Sequence, residues 1–550
     1  MQILITGGDS RLARRLAASL AGDHTVRLFD RSFGAAAVGE AGAGPFQQAT
    51  GDLRNPEEAR AALEGIDAVI HAVPYLAGRE RSTDAMTALD EATRGAYVLF
   101  NAARDQGVDR FILLSTLDLF DRLPAHWRVN EEWRPRPAPD LEQLCPWLSE
   151  LSVRENSRVG AMQSICLRLG RVVDNETAAR LPFDPRWVHE ADVAQGVRCA
   201  LRYAGDRRPD WAIFHLMAPG PHAKLRLTHA ASAQDRFGYQ PVHEFRGHSS
   251  SETAAPPVDA RLSWREQLAP QPRPTIRTRP IYRVVIFGAG GPMGAVAAQE
   301  LLSSYTLRIT DVRPIAEIAA EAKPQAPGAP LPVPLEPPHE NQVVDVRDPA
   351  QVMAACDGMD AIINCTVVRP DPVNAFLVNT LGAYNVMAAA VAHRIRRVVH
   401  TGPLVQHLSG WGDYRWDYDL PADAPGRPYD QLYIHSKYLG QEIGRVFADY
   451  YGLEVPVLLF FSLNNPTLPV ASHPFMISWP DTGRALRRAL EVTALPSPFE
   501  LMNISADLPH GRYDHEKARR ILNWTPRDGL EAFWQDLPAQ EPSPNDKRIP

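Results

Sequence analysis

A chain of 550 residues exceeds what one hydrophobic core commonly supports, so two domains are expected, and a formal net charge of −7 gives no electrostatic basis for binding nucleic acid or an anionic membrane surface. Small-molecule partners are expected instead, and five cysteines scattered without paired metal-ligand spacing provide no metal site. No apolar run approaches the ~20 residues of a membrane span, and Met1-Gln2 leads straight into apolar sequence with no room for a signal peptide, which together imply a cytoplasmic location.

The first predicted strand, Ile3-Leu4-Ile5-Thr6, enters a glycine turn at Gly7-Gly8, and the next strand ends in the acidic Asp30. This is the opening of a nucleotide-binding βαβ unit, but Ser10 and Ala13 stand where its second and third glycines belong. Asp9 adds a negative charge toward the phosphates, with Arg11 as its counter-charge. Gly7 and Asp30 are therefore cofactor-binding candidates in a degraded fingerprint. Asp52-Leu53-Arg54-Asn55-Pro56 leads to Gly65-Ile66-Asp67-Ala68-Val69-Ile70, and Arg110 opens the strand Phe111-Ile112-Leu113-Leu114. Thr116 follows as a hydroxyl, yet neither Tyr nor Lys occurs from Val98 to Arg202.

The whole pattern recurs later in the chain. Val284-Val285-Ile286-Phe287 enters Gly288-Ala289-Gly290-Gly291-Pro292-Met293-Gly294, and Asp311 ends the following strand at the same offset from its glycine as Asp30. Asp345-Val346-Arg347-Asp348-Pro349 through Gly358-Met359-Asp360-Ala361-Ile362-Ile363 aligns without a gap on the first-half block. Such repetition sets the architecture: two tandem doubly wound α/β domains with parallel sheets, each with a small C-terminal substrate region. Boundaries are read as a domain at 1–248, a Pro/Ser-rich linker at 249–281, a second domain at 282–540 and a tail at 541–550. A Pro-rich insert from Pro324 to Pro338 reads as a surface loop.

In the second copy each glycine has a reason. Gly288 permits a tight turn, Gly291 lets backbone N–H groups approach a pyrophosphate at a helix N-terminus, and Gly294 allows close packing. Asp311 is placed to accept ribose hydroxyls and repel a 2′-phosphate, which favours NAD over NADP, and Asp345 joins the cofactor-binding candidates.

The chain resembles the extended short-chain dehydrogenase/reductase family, the NAD-dependent epimerase/dehydratase group, over nearly all of both halves. Beyond the glycines, Tyr433-Ile434-His435-Ser436-Lys437 resembles the family's Tyr-x-x-x-Lys, and Leu167-Arg168-Leu169-Gly170, Val188-His189-Glu190-Ala191-Asp192, Phe237-Gly238-Tyr239-Gln240-Pro241 and Asn523-Trp524-Thr525-Pro526 resemble its C-terminal landmarks. The resemblance implies NAD as cofactor, Tyr433 as acid/base and Lys437 as the cation that stabilises the phenolate and holds the nicotinamide ribose. Thr401 is the candidate for the family's substrate-polarising hydroxyl, displaced by one residue, with His400 as alternative; the Thr-Asp-Glu triplet of dehydratases is absent. In the first half Trp147 and Leu151 are aligned with the Tyr and Lys positions, and neither side chain exchanges protons.

Family members commonly pair through two helices per subunit. An intramolecular pseudo-dimer is therefore expected, with the first half as scaffold and its helices near Ala92 to Ala103 and Trp147 to Glu155 facing those near Phe376 to Ala390 and Tyr433 to Arg445. Substrate identity stays open: Ser462 stands where an Asn is frequent, Asn464 and Asn465 follow, Arg484, Arg487 and Arg488 are available for a diphosphate, and the loop Trp411 to Tyr418 is a candidate cover. Three functions follow: an NAD-dependent oxidoreductase acting on a secondary alcohol or ketone of a small carbohydrate-like molecule, an epimerase that retains its cofactor, or a non-catalytic NAD-binding regulator.

Overall fold

A computed structural model describes residues 1–34, 46–81, 84–124, 127, 129–160, 162–205, 211–219, 238–245, 263, 276, 280–323, 328–404, 417–466, 476–509 and 511–535. Most of the linker, the cover loop through residue 416, Phe237, the start of the Pro-rich insert and the tail lie outside the described residues.

The first half builds a seven-stranded parallel sheet from β1 (Gln2–Thr6), β2 (Thr25–Asp30), β3 (Gln47–Thr50), β4 (Ala68–His71), β5 (Arg110–Thr116), β6 (Gln163–Leu169) and β7 (Trp211–Leu216), in the order β3-β2-β1-β4-β5-β6-β7. The second half repeats it with β8 (Arg283–Phe287), β9 (Thr306–Asp311), β10 (Glu340–Val343), β11 (Ala361–Asn364), β12 (Arg397–Pro403), β13 (Val455–Phe460) and β14 (Phe499–Asn503), in the order β10-β9-β8-β11-β12-β13-β14. In both, the order reverses beside the first strand, the point at which open α/β sheets bind ligands beyond the carboxyl ends of their strands. The sequence dictates this because the central strands are apolar on both faces: Ile3, Ile5, Ile70, Ile112 and Leu114 feed one cluster and Leu4, Val69, Phe111 and Leu113 another on the opposite face.

The first glycine turns feed α1 (Arg11–Leu20) and its second-half counterpart. Further helices of the first half are α2 (Ala96–Asp105) and α3 (Leu141–Ser157); the second half contributes α4 (Pro292–Leu301) and α5 (Leu432–Tyr451). By compactness the chain divides into two units, residues 1–275 with 368–381 and 428–451, and residues 276–367 with 382–427 and 452–550. The helix bearing Tyr-x-x-x-Lys thus belongs to the first unit. There α5 lies against α3 and α2: His435 Nε2 is 3.0 Å from Ser152 Oγ, Arg154 reaches the Tyr438 hydroxyl at 3.3 Å, and Tyr97 donates to the Asp430 carbonyl at 2.6 Å.

The helical run Pro372–Ala392 is apolar enough to pass as a membrane span, with a mean hydropathy of 1.5, although 67% of it is buried within the protein. Its apolar residues serve a core, and a π-helical turn at Leu377–Leu381 interrupts it.

Candidate nucleotide and acid–base sites

In the second unit the turn after β8 has the three distinct glycine geometries that a nucleotide cradle requires. Gly288 holds φ at +81°, and a Cβ there would meet the Cys365–Thr366 backbone at 3.0 Å. Gly294 packs so closely that a Cβ would lie 2.4 Å from the Gly288 carbonyl oxygen. Gly291, the residue capping α4, is different: a Cβ there would touch nothing nearer than 3.6 Å, so open space lies over the helix N-terminus. Asp311 accepts from the Gly290 N–H at 2.9 Å and the Val312 N–H at 2.8 Å. Burial raises its carboxyl above the usual range, the two N–H groups oppose that shift, and no cation pairs with it among the described residues. A cavity of ≈ 280 Å³ adjoins, lined by Gly290, Pro292, Arg313, Ile318, Lys323 and Pro330. These residues fit a dinucleotide: donors for phosphate, a carboxylate for ribose and a groove beyond it. Asp345 is committed differently, gripped by Arg347 at 2.6–2.9 Å, as Asp52 is by Arg54, so both halves use this Asp-x-Arg to close a turn.

The first-unit turn has the same backbone, with Gly7 at φ +72°, but its donors and acceptors are already in use. Ser10 caps α1 by accepting from Ala13 N–H at 3.1 Å. Glu80 accepts from Leu12 N–H at 3.3 Å, placing a carboxylate where a phosphate would be, and Arg81 contacts both oxygens of Asp30 at 2.8 Å. Asp9 is neutralised by Arg14 and not, as expected, by Arg11, which reaches to Asp174 and Glu190. Beyond β5, Arg79 holds Asp118 at 2.7 Å and touches the Thr116 hydroxyl at 3.3 Å, and Arg186 binds the other oxygen of Asp118 at 2.8 Å. His71 is buried, 2.8 Å from Thr6 Oγ1, and burial pushes it down to about 3.

On α5 Tyr433 is half-buried and Lys437, one turn on, is buried. Burial raises the Tyr433 phenol, while the Arg369 guanidinium, lying over the ring 5.3 Å from its centroid, lowers it. Sequence reasoning missed Arg369, which sits in the loop after β11 with no motif to mark it. Ser436 accepts from Asn379 Nδ2 at 2.9 Å, and Thr380 donates to the Ser436 carbonyl at 2.8 Å.

These contacts correct the register between halves. Ser149 bonds Ala92 as Ser436 bonds Asn379, and Glu155–Arg158 at 3.1 Å repeats Glu442–Arg445 at 2.9 Å. The common offset, also that of Gly95 to Gly382 and Arg110 to Arg397, puts Pro146 and Glu150 at the Tyr and Lys positions in place of Trp147 and Leu151. Proline has no proton to exchange, and Glu150 is buried in a forked pair with Arg168 at 2.7 and 2.9 Å.

Thr401 is buried on β12 and donates to the Asn364 carbonyl at 3.1 Å; His400 is buried beside it, 3.4 Å from the Asn364 amide nitrogen. Asn464 donates to the Ser462 carbonyl at 2.7 Å, Arg484 pairs with Asp481, and Arg487 with Glu300 at 2.8 Å. Those arginines are thus occupied by carboxylates of their own unit. No cluster of metal-ligating side chains occurs among the described residues.

Comparison with known proteins finds a separate match in each half. Residues 7–142 match the model of NAD(P)H-binding domains, and residues 284–475 that of the NAD dependent epimerase/dehydratase family. The chain is 28% identical over 270 residues to an L-arabinose 1-dehydrogenase (NAD(P)(+)) of Haloferax volcanii, covering 45% of this chain and 96% of that protein. It is 23% identical over 265 residues to an NAD-dependent glucose-6-phosphate dehydrogenase of the same organism, covering 46% of this chain and 95% of that protein. Among solved structures, the uronate dehydrogenase from Agrobacterium tumefaciens aligns at 24% identity over 48% of this chain and 91% of that one, with a TM-score of 0.38. Residues 284–475 belong to the NAD dependent epimerase/dehydratase family, and the chain is a tandem of two NAD(P)-binding domains of the extended short-chain dehydrogenase/reductase type.

Proposed function

We infer that the protein is an NAD-dependent dehydrogenase acting on a secondary alcohol or ketone of a small carbohydrate, with one nucleotide per chain, held by the second half. The observation that carries this reading is the contrast between two equivalent carboxylates: among the described residues Asp311 accepts only from backbone N–H groups beside an open glycine turn, whereas both oxygens of Asp30 are held by Arg81. The half with the open turn is also the half whose sequence has Tyr433 and Lys437. The two Haloferax volcanii relatives are both sugar dehydrogenases, which supports a sugar as substrate and oxidation as the reaction.

NAD, when bound, accepts a hydride from the carbinol carbon. Gly288, Gly291 and Gly294 would shape the helix N-terminus that holds its phosphates, and Asp311 would hold its ribose. Tyr433, as phenolate, takes the hydroxyl proton as the carbonyl forms and returns it in the reverse direction, while Lys437 stabilises that phenolate. Thr401 remains the candidate for polarising the substrate oxygen. The first half is a scaffold whose α2 and α3 occupy the place of a partner subunit against α5, so the chain is expected to remain a monomer of 60.9 kDa in the cytoplasm.

The test is the nucleotide content of purified protein, followed by NAD titration and screening of sugars for NADH formation. One nucleotide site per chain with exchangeable NAD and turnover of a sugar is expected. Two equivalent sites would overturn the single-site reading, and tightly retained NAD with sugar interconversion and no net NADH would replace dehydrogenation by epimerisation.

A further inference from the structure

Arg369 is exposed on the first unit, and its guanidinium is in contact with the phenol of Tyr433. Other arginines of that unit that come this close to a functional position are tied to carboxylates: Arg79 to Asp118, Arg81 to Asp30 and Glu91, Arg122 to Asp449, Arg186 to Asp118 and Asp184. Arg369 has no carboxylate partner among the described residues. A guanidinium has five N–H donors in a rigid fork, and a contact with the face of one phenol ring leaves that fork unused. Exposed and without a carboxylate partner among the described residues, the fork can take a ligand anion beside the phenol of Tyr433.

We propose that Arg369 is an anion-recognition residue, and that the substrate is a sugar carrying a carboxylate or phosphate near the carbon oxidised with the help of Tyr433. This rests on the acid/base reading of Tyr433. The anion is a spectator: the hydride leaves the carbinol carbon for NAD, the hydroxyl proton goes to Tyr433, and the charged group is retained unchanged in the product. The fork suits both anions geometrically, so carboxylate and phosphate are distinguished by experiment.

The experiment measures equilibrium binding of glucuronate, glucose 6-phosphate and glucose to the full chain in the presence of NAD, with NADH formation followed separately. One anionic sugar is expected to bind at least tenfold more tightly than glucose; glucuronate in that role assigns a carboxylate, glucose 6-phosphate a phosphate. Arg369→Gln is expected to remove that preference at least tenfold in Kd and in KM, and Arg369→Lys to restore part of it, with Tm unchanged because the side chain is exposed. Equal binding of glucose and both anions, or an unaltered preference in Arg369→Gln, overturns the proposal. Arg369-dependent binding without any turnover upholds the anion site and rejects the dehydrogenase reading, whereas turnover of glucose with no anion preference does the reverse.

Discussion

Substituting Gly291 by Ser transplants into the second half the residue that the first half has at the equivalent place, and it should move stability and binding in opposite directions. Gly291 has an extended backbone, φ −87° and ψ 162°, and a Cβ there meets no atom within 3.6 Å, so serine is accommodated without strain. Ser10 shows what its hydroxyl does: it accepts from the N–H three residues on, at 3.1 Å. Replacing a glycine N-cap by serine is worth about a few tenths of a kcal/mol, which for a domain of this size raises Tm by roughly 1 °C. The same hydroxyl consumes an N–H donor that a phosphate needs and fills the space over the helix end. NAD affinity should fall at least tenfold, about 1.4 kcal/mol. Differential scanning fluorimetry and NAD titration read the two quantities. If Gly291→Ser binds NAD like the parent chain, the pyrophosphate does not sit on this helix and the reasoning fails. Gly294→Ala is the contrast, because its Cβ would lie 2.4 Å from one backbone atom and 2.6 Å from another; the overpacking of about 1–3 kcal/mol should lower Tm.

Tyr433→Phe should lower kcat by about 10²–10⁴ while leaving NAD affinity within a factor of two, measured by initial rates and titration; undiminished turnover would remove Tyr433 from the chemistry. Arg81→Ala leaves Asp30 and the buried Glu91 without their shared cation, and since Arg81 is 13% and Asp30 6% exposed the loss should be about 3 kcal/mol of first-half stability, seen in denaturant unfolding, with the turnover of the second half unchanged. An unaltered unfolding midpoint would show that this pair is only a surface contact. Acid should destabilise the fold early. His71 is held at about 3 against 6.5 when unfolded, and burial also lowers His215 and His435, so the unfolded chain binds more protons below pH 6.5. The histidine contribution is fully present above pH 6.5 and is lost as pH falls toward 3. Urea midpoints at pH 7.5, 6 and 5 should decline, and His71→Gln should flatten the decline; a midpoint constant from pH 7.5 to 5 refutes the assignment.

The two sheets were legible because duplicated strands show the same apolar runs and the same acidic strand ends, Asp30 and Asp311, at one offset. The glycine roles were legible for the same reason, since Gly288, Gly291 and Gly294 differ in what a Cβ would meet, and the fingerprint encodes that difference. What could not be read were long-range partners. Nothing in Gly78-Arg79-Glu80-Arg81 announces that its three charged side chains return to Thr116 and Asp118, to α1 and to β2, and nothing near Arg369 announces a phenol. Register across the loop before α3 was also ambiguous. Trp147 under Tyr433 looks natural by side-chain class, but the hydrogen bonds of Ser149 and Ser436 to equivalent positions on the preceding helix show a shift of one residue.

On the single-site reading proposed above, the two carboxylates are the reason that two glycine turns would make one nucleotide site. To accept a ribose hydroxyl, Asp30 must give up a two-oxygen contact with Arg81, a charge-assisted interaction worth about 1.5–3 kcal/mol per bond, for a neutral hydrogen bond worth about 1. The phosphate faces a similar exchange, since Glu80 must leave the Leu12 N–H and take its negative charge elsewhere. Asp311 gives up no ion pair: its two backbone donors can stay while its remaining lone pairs turn to ribose. The same fold and the same strand-end acid are therefore expected to differ in nucleotide binding, according to whether the loop after the fourth strand supplies its own cation and carboxylate. Gain of a nucleotide by the first half is expected to require removing both Glu80, which covers the Leu12 N–H, and Arg81, which holds both oxygens of Asp30.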